Sequence, residues 1–159
     1  FASAAWALAS AWISKRASLI FLQTFGTLYF IDGLLGLATG LAAFPLTDDL
    51  PLRGEERSRT CGSVIALGLA LDDKGLVSNV GMKVSACAIG QASAALLAQS
   101  IRGDNPGYVC WMTEALERWL AGTGDLPQWR GIEALGPARD HPGRHGALLL
   151  PWMAARKAL

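Results

Sequence analysis

The sequence predicts an α+β domain: a small antiparallel β-sheet with helices packed on one of its faces. Three stretches carry that expectation. Ile65, Leu67, Leu69 and Leu71 alternate with Val64, Ala66, Gly68 and Ala70, the period-two pattern of a strand with large residues on one side and small ones on the other. Asp72-Asp73-Lys74-Gly75 is turn chemistry, and Val80, Met82 and Val84 then alternate with Asn79, Gly81 and Lys83, a returning antiparallel strand with one wet face. Helical periodicity both precedes and follows this hairpin. The order helix, hairpin, helices suits a two-layer domain.

Taken in order, the first 46 residues are very apolar, and from Ala17 to Leu46 only Asp32 carries a formal charge. A membrane span is the rival reading of such a run. Gln23, Thr24, Gly26, Thr27, Gly33, Gly36 and Gly40 interrupt it, and Lys15-Arg16 followed by Leu19-Ile20-Phe21-Leu22 imitates a secretory leader only weakly. The reading adopted is a soluble helix or leader, with membrane association not expected. Because Phe1 is not a methionine, the chain is expected to be a fragment or to carry upstream sequence.

Leu34, Leu37, Leu41 and Phe44 share one face of a helix predicted over Leu28–Phe44, which Pro45 should end. Thr47 to Arg59, with Asp48-Asp49, Pro51 and Arg53-Gly54-Glu55-Glu56-Arg57, reads as a polar surface loop. After the hairpin, Cys87–Ile101 is expected to be a helix stopped by Arg102-Gly103. Asp104 or Asn105 should cap the next, with Pro106 in its first turn. Its predicted buried stripe is Tyr108, Trp111, Met112, Ala115, Leu116 and Trp119, with Glu114 and Arg118 paired on the other side. Thr123–Gly143 reads as loop. A last helix runs to Leu159, with Pro151 tolerable only in its first turn.

The 159 residues are 52% hydrophobic with a net charge of +1, which suits one globular domain and gives no electrostatic reason to expect nucleic acid. Three widely spaced cysteines, without a CxxC pair, argue against a disulfide framework and favour a reducing compartment.

Cys87 stands where strand gives way to helix, a position that favours a thiolate, although a small buried side chain is an equally good account. Cys61, before Gly62 at the mouth of the first strand, becomes a plausible second thiolate once the hairpin folds. Cys110 falls on the polar helix face with Glu114 and Glu117 and reads as a spectator. His141 and His145 are four apart, but Pro142-Gly143 should break helical geometry between them. Either could reach a site from a loop, and a surface histidine is the plainer expectation for His141.

These residues resemble the U-type iron–sulfur cluster assembly scaffolds (IscU, SufU and the N-terminal domain of NifU). The likeness runs from about Leu28-Tyr29 to the C-terminus. It is carried by a tyrosine-led first helix and by Cys61-Gly62-Ser63 opening a strand that ends in Asp72-Asp73-Lys74-Gly75. Cys87 before an Ala/Ser-rich helix, Pro137-Ala138-Arg139, and Arg144-His145-Gly146 before a final helix complete it.

The resemblance implies a scaffold-like domain over 28–159, with 1–27 as an N-terminal extension or leader. It also implies a cytoplasmic protein that is not an enzyme. The cargo implied is a nascent iron–sulfur cluster, or an iron or zinc ion, and the partners a cysteine desulfurase and cluster acceptor proteins. Carried over residue by residue, Cys61 and Cys87 match the first two ligands and His145 the histidine. Ser63 stands where the family has aspartate. Gly146, or Ala147 with a one-residue slip, stands where it has the third cysteine. A divergent scaffold binding through Cys61, Cys87 and His145 is the leading expectation, and a metal-free interaction module of the same fold is the alternative. A thiol enzyme pairing Cys87 with His145 lacks any evident oxyanion motif or third orienting residue.

Overall fold

A computed structural model of the chain describes residues 40–58 and 62–159. The extension over 1–27, most of the predicted Leu28–Phe44 helix and Cys61 lie outside the described residues. Of that helix, the described end is a 3₁₀ turn, Gly40–Ala43, which stops before Pro45 as expected.

Three strands, β1 (Leu52–Arg57), β2 (Val64–Leu71) and β3 (Val77–Ser85), form one antiparallel sheet in the order β1-β2-β3. The β2–β3 hairpin is the predicted one. Asp72 Oδ1 accepts from the backbone N–H of Lys74 and Leu76, each at 2.9 Å, and Gly75 takes φ +76°. Ile65, Leu67 and Leu69 are all but fully buried. The alternation ends at Leu71, which is 39% exposed, because the register slips between Ala70 and Leu71 and pairs Leu71 with Val77.

β1 corrects the expectation of a polar loop over 47–59. Leu52, Gly54 and Glu56 pair with Leu69, Leu67 and Ile65 and share their face, while Arg53, Glu55 and Arg57 are exposed on the other. The period-two signal was present but hidden in charged residues. Glu56 tolerates the half-buried face because Lys157 Nζ lies 2.6 Å from its Oε2 and also donates to the Glu55 carbonyl at 3.2 Å.

Three α-helices follow: α1 (Ala88–Ser100), α2 (Pro106–Leu120) and α3 (Pro142–Ala158). The first two match expectation, and Asn105 caps α2 by accepting from Gly107 N at 2.7 Å. α1 is buried around most of its circumference, packed on β3 and α3. α3 lies across β1 and β2. It comes so close to β1 that a Cβ at Gly54 would collide with the Ala154 carbonyl oxygen and lie 2.9 Å from Ala158 N. The other face of the sheet is wet at Lys83 and Ser85 but covered at Gly68 and Gly81. There the segment 45–50 crosses, with Leu50 only 2% exposed and Met82 N donating to Phe44 O at 2.8 Å.

Three further expectations change. Tyr108 and Trp111 are 39% and 47% exposed rather than buried. The buried stripe of α2 runs instead through Val109, Met112, Leu116 and Trp119, and the two outlying rings stack on each other with centroids 5.7 Å apart. The 123–143 region contains a 3₁₀ segment, Ile132–Asp140, held by the buried Ile132 and Leu135. Last, α3 begins at Pro142, so Pro151 lies in its middle.

Proline there removes the N–H that would reach the carbonyl four residues back and crowds that carbonyl. Side chains of the two neighbouring helices hydrogen-bond to α3 on either side of Pro151. Ser93 Oγ donates to the Leu148 carbonyl at 2.7 Å and accepts from Trp152 Nε1 at 3.0 Å, and Thr113 Oγ1 lies 3.3 Å from the Trp152 carbonyl. Among the described residues no helix is long and apolar enough to cross a membrane.

Gly54→Ala should destabilise the fold by about 1–3 kcal/mol, because its Cβ meets backbone that cannot swing aside. Gly143→Ala, in a helix and with no atom within 4 Å, should be neutral or stabilising by up to about 1 kcal/mol. Thermal denaturation of the pair separates the two, and equal shifts would contradict the α3–β1 contact.

The Lys157 hydrogen bond holds the Glu56 carboxyl below the usual glutamate range. A depressed folded-state pKa contributes stability above the unfolded value, lost as pH falls through the folded one. The gap in stability between wild type and Glu56→Gln should therefore be below about 1 kcal/mol at pH 7. It should close as the pH falls below about 4 in urea titrations.

Candidate functional site

The antiparallel register pairs Val64, the first residue of β2, with Ser85, the last of β3. The entrance to β2 and the exit of β3 therefore share one rim of the sheet. The β1–β2 connection is tight: Ser58 N donates to Ser63 O at 2.8 Å and Gly62 N to Ser58 O at 3.2 Å. Gly62 takes φ +68°, a conformation that favours glycine. At the other edge of the rim, Cys87 is the N-cap residue of α1, with extended backbone and no side-chain capping bond. Gln91 Nε2 donates to Ala86 O at 2.8 Å, pinning the strand-to-helix junction.

Between these edges lies a cleft of about 240 Å³, lined by Gly62, Ser63, Ser85, Ala86, Cys87 and Arg144. The Cys87 thiol is free and half-buried, and Ser63 is 5% exposed. Cys61, outside the described residues, is the chain neighbour of the lining residue Gly62.

Of the residues singled out from sequence, the structure brings together Ser63 and Cys87 at this cleft. His145 is in the first turn of α3 but does not line it. Its Nε2 lies 2.8 Å from the Arg139 carbonyl oxygen, which can only accept, so Nε2 carries the proton and Nδ1 keeps the available lone pair. Gly146 is exposed and offers no side-chain donor. The break in helical geometry expected at Pro142-Gly143 comes one residue earlier, at His141, with φ −119° and ψ 75°. Cys110 is half-buried on α2 and does not line this cleft.

Sequence reasoning did not assign a role to Arg144. The available signal was slight: a single cation in the stretch Asp140–Gly146. Among the described residues no three histidine, cysteine, aspartate or glutamate side chains gather to hold a metal. A larger hollow of about 590 Å³ lies elsewhere, lined by Asp104, Tyr108, Gln128, Trp129, Arg130 and Glu133. Burial raises the Asp104 carboxyl while Arg130, 3.5 Å away, opposes it. Among the described residues no thiol or imidazole lines that hollow, whereas the Cys87 thiol lines the smaller cleft, where soft-ligand chemistry is available.

No protein-family model matches the chain. It is 26% identical over 113 residues, covering 70% of its own length and 79% of the other's, to the iron–sulfur cluster assembly scaffold protein IscU of Thermotoga maritima. Its fold is similar to the crystal structure of a nitrogen-fixing NifU-like protein (N-terminal) from Brucella abortus. The TM-score is 0.71 at 26% identity, over 79% of this chain and 88% of that one. The crystal structure of a putative SUF-system scaffold protein, SufU, from Fervidobacterium islandicum gives a TM-score of 0.66 at 22% identity. It covers 79% of this chain and 93% of that one, and shows likeness of fold alone.

Long-range ¹H–¹⁵N correlation spectra above pH 8 should show His145 as the Nε2–H tautomer. The Nδ1–H form would mean that the Arg139 bond is not made in solution.

Proposed function

We propose, from the premise that the chain is kin in sequence and fold to the U-type iron–sulfur cluster assembly scaffolds, that it is itself a scaffold. It receives an iron–sulfur cluster, or an iron or zinc ion, as cargo on Cys61 and Cys87. The observation that carries this reading is the cleft where Cys87 faces Gly62 and Ser63, one residue along the chain from Cys61. Thiolates are the ligands such clusters take, and two of them, with outside ligands, would seat an iron pair or a single tetrahedral ion.

His145 assists through Nδ1, its other nitrogen being held by the Arg139 carbonyl. A second-sphere bond of that kind fixes the ring and the tautomer of a metal-binding histidine. Ser63 replaces a carboxylate with a neutral hydroxyl, and Gly146 contributes nothing. The seat is accordingly weaker than a three-cysteine one, holding its cargo loosely and depending on outside ligands to complete the coordination. In this reading the protein acts in the cytoplasm and catalyses no reaction of its own. A cysteine desulfurase supplies its sulfur and acceptor proteins take the cluster. The scaffold domain spans 28–159, with 1–27 as an extension.

One observation favours a second reading. With Gly146 exposed and donor-free, the same fold could serve as a metal-free interaction module. The two readings part on metal.

Anaerobic incubation with iron and sulfide, followed by desalting, should leave the wild type coloured and iron-bearing. Cys61→Ala/Cys87→Ala should lose most of the iron and the visible charge-transfer absorbance. A colourless wild type with the variant's metal content would reject the scaffold reading in favour of the module.

A further inference from the structure

Arg144 is the only charged residue among those described at the Cys87 cleft. It is in the first turn of α3, its side chain is exposed, and no carboxylate among the described residues lies within ion-pair distance of it. The other charged side chains of α3 are engaged elsewhere: Arg156 lies 3.7 Å from Glu117, and Lys157 bonds Glu56. Among the described residues the cleft thus presents one thiol, serine side chains and a guanidinium with no carboxylate at ion-pair distance.

The charge balance gives that guanidinium a consequence. On the cargo-binding reading two cysteine thiolates neutralise a ferrous ion, and equally a [2Fe–2S]²⁺ core, and even with His145 a four-ligand site is left open to an outside ligand. A guanidinium beside that opening favours negatively charged completing ligands and disfavours positive ones. We infer that Arg144 is the residue that sets what completes the site: cargo enters the Cys87 cleft accompanied by an anionic external ligand of the carboxylate-bearing thiolate class, paired with Arg144. The inference rests on the cargo-binding reading above and adds to it the charge class of the ligand that this chain does not supply. Arg144 selects by charge and ligates nothing.

The test separates charge selection from cargo binding. In the full chain carrying Cys61→Ala and Cys110→Ala, Cys87 is the only thiol. Its alkylation forms an S–C bond and releases iodide with either iodoacetate, an anion, or iodoacetamide, which is neutral. The ratio of the two rate constants cancels any change in the thiol's own reactivity and reads the field in the cleft.

Arg144→Gln should lower the iodoacetate-to-iodoacetamide ratio roughly three- to ten-fold, Arg144→Glu should lower it further, and Arg144→Lys should keep most of it. The differences should shrink in high salt. An unchanged ratio in both the Gln and Glu variants overturns the inference. So does an equal loss in the Lys variant, which would point to local unfolding instead of charge.

In a second arm, chains with native cysteines are loaded anaerobically with iron and sulfide in the presence of mercaptoacetate or of cysteamine. The Arg144 chain should retain more iron with mercaptoacetate, and Arg144→Glu should reverse the preference. A shifted alkylation ratio in a chain that takes up no iron with either thiol rejects the cargo reading and leaves anion selection at Cys87 standing. Iron uptake with an unshifted ratio rejects the role of Arg144 alone.

Discussion

The register of the β2–β3 hairpin is the constraint on which the rest depends. Pairing Val64 with Ser85 places the entrance of one strand beside the exit of the next, and everything at the cleft follows from that pairing. A slip of one residue would turn Ile65, Leu67 and Leu69 away from the helices and carry Cys87 off the rim. The buried leucine face therefore specifies the fold and the site together, because the same alternation that makes the core sets which residues meet at the sheet's end.

The second constraint is the passage of α3 through the molecule. It runs over β1 at Gly54 and against α1 at Gly90, where an added Cβ would lie 3.3 Å from the Ala147 carbonyl. It carries a proline in its middle, flanked by the Ser93–Leu148 and Trp152–Ser93 hydrogen bonds. This seam fixes where the first turn of α3 lies and hence brings Arg144 to the cleft. Backbone polar groups inside a close-packed seam have no water to turn to, so the hydroxyl of Ser93 on the facing helix matters more than its size suggests.

Of the described residues singled out for the site from sequence, only Ser63 and Cys87 line the cleft, and Arg144 is its one charged group among the described residues. A single described thiol beside a cation is chemically unlike a closed structural metal site, in which thiolates meet the whole coordination demand themselves.

How much was legible beforehand varied with the range of the physics involved. The hairpin, the turn at Asp72–Gly75, the Asn105 cap and the α1 start at Cys87 were all readable, because period-two alternation, glycine at positive φ and side-chain capping act within a few residues. β1 was not readable: Arg53, Glu55, Glu56 and Arg57 look like a solvated loop until Lys157, a hundred residues on, neutralises the inward-facing Glu56. The long α3 with an internal Pro151 was equally opaque, since local propensity disfavours it and its packing against the sheet and two other helices lies far away in sequence.

The thiol of Cys87 was a candidate from its own neighbourhood, whereas Arg144 became one only when α3 docked. Short-range backbone chemistry determined the sheet, its turn and the Cys87 thiol at its rim. The cation that shares the cleft with it was decided by tertiary packing, because a charge acquires a role at a site only from what the fold leaves beside it.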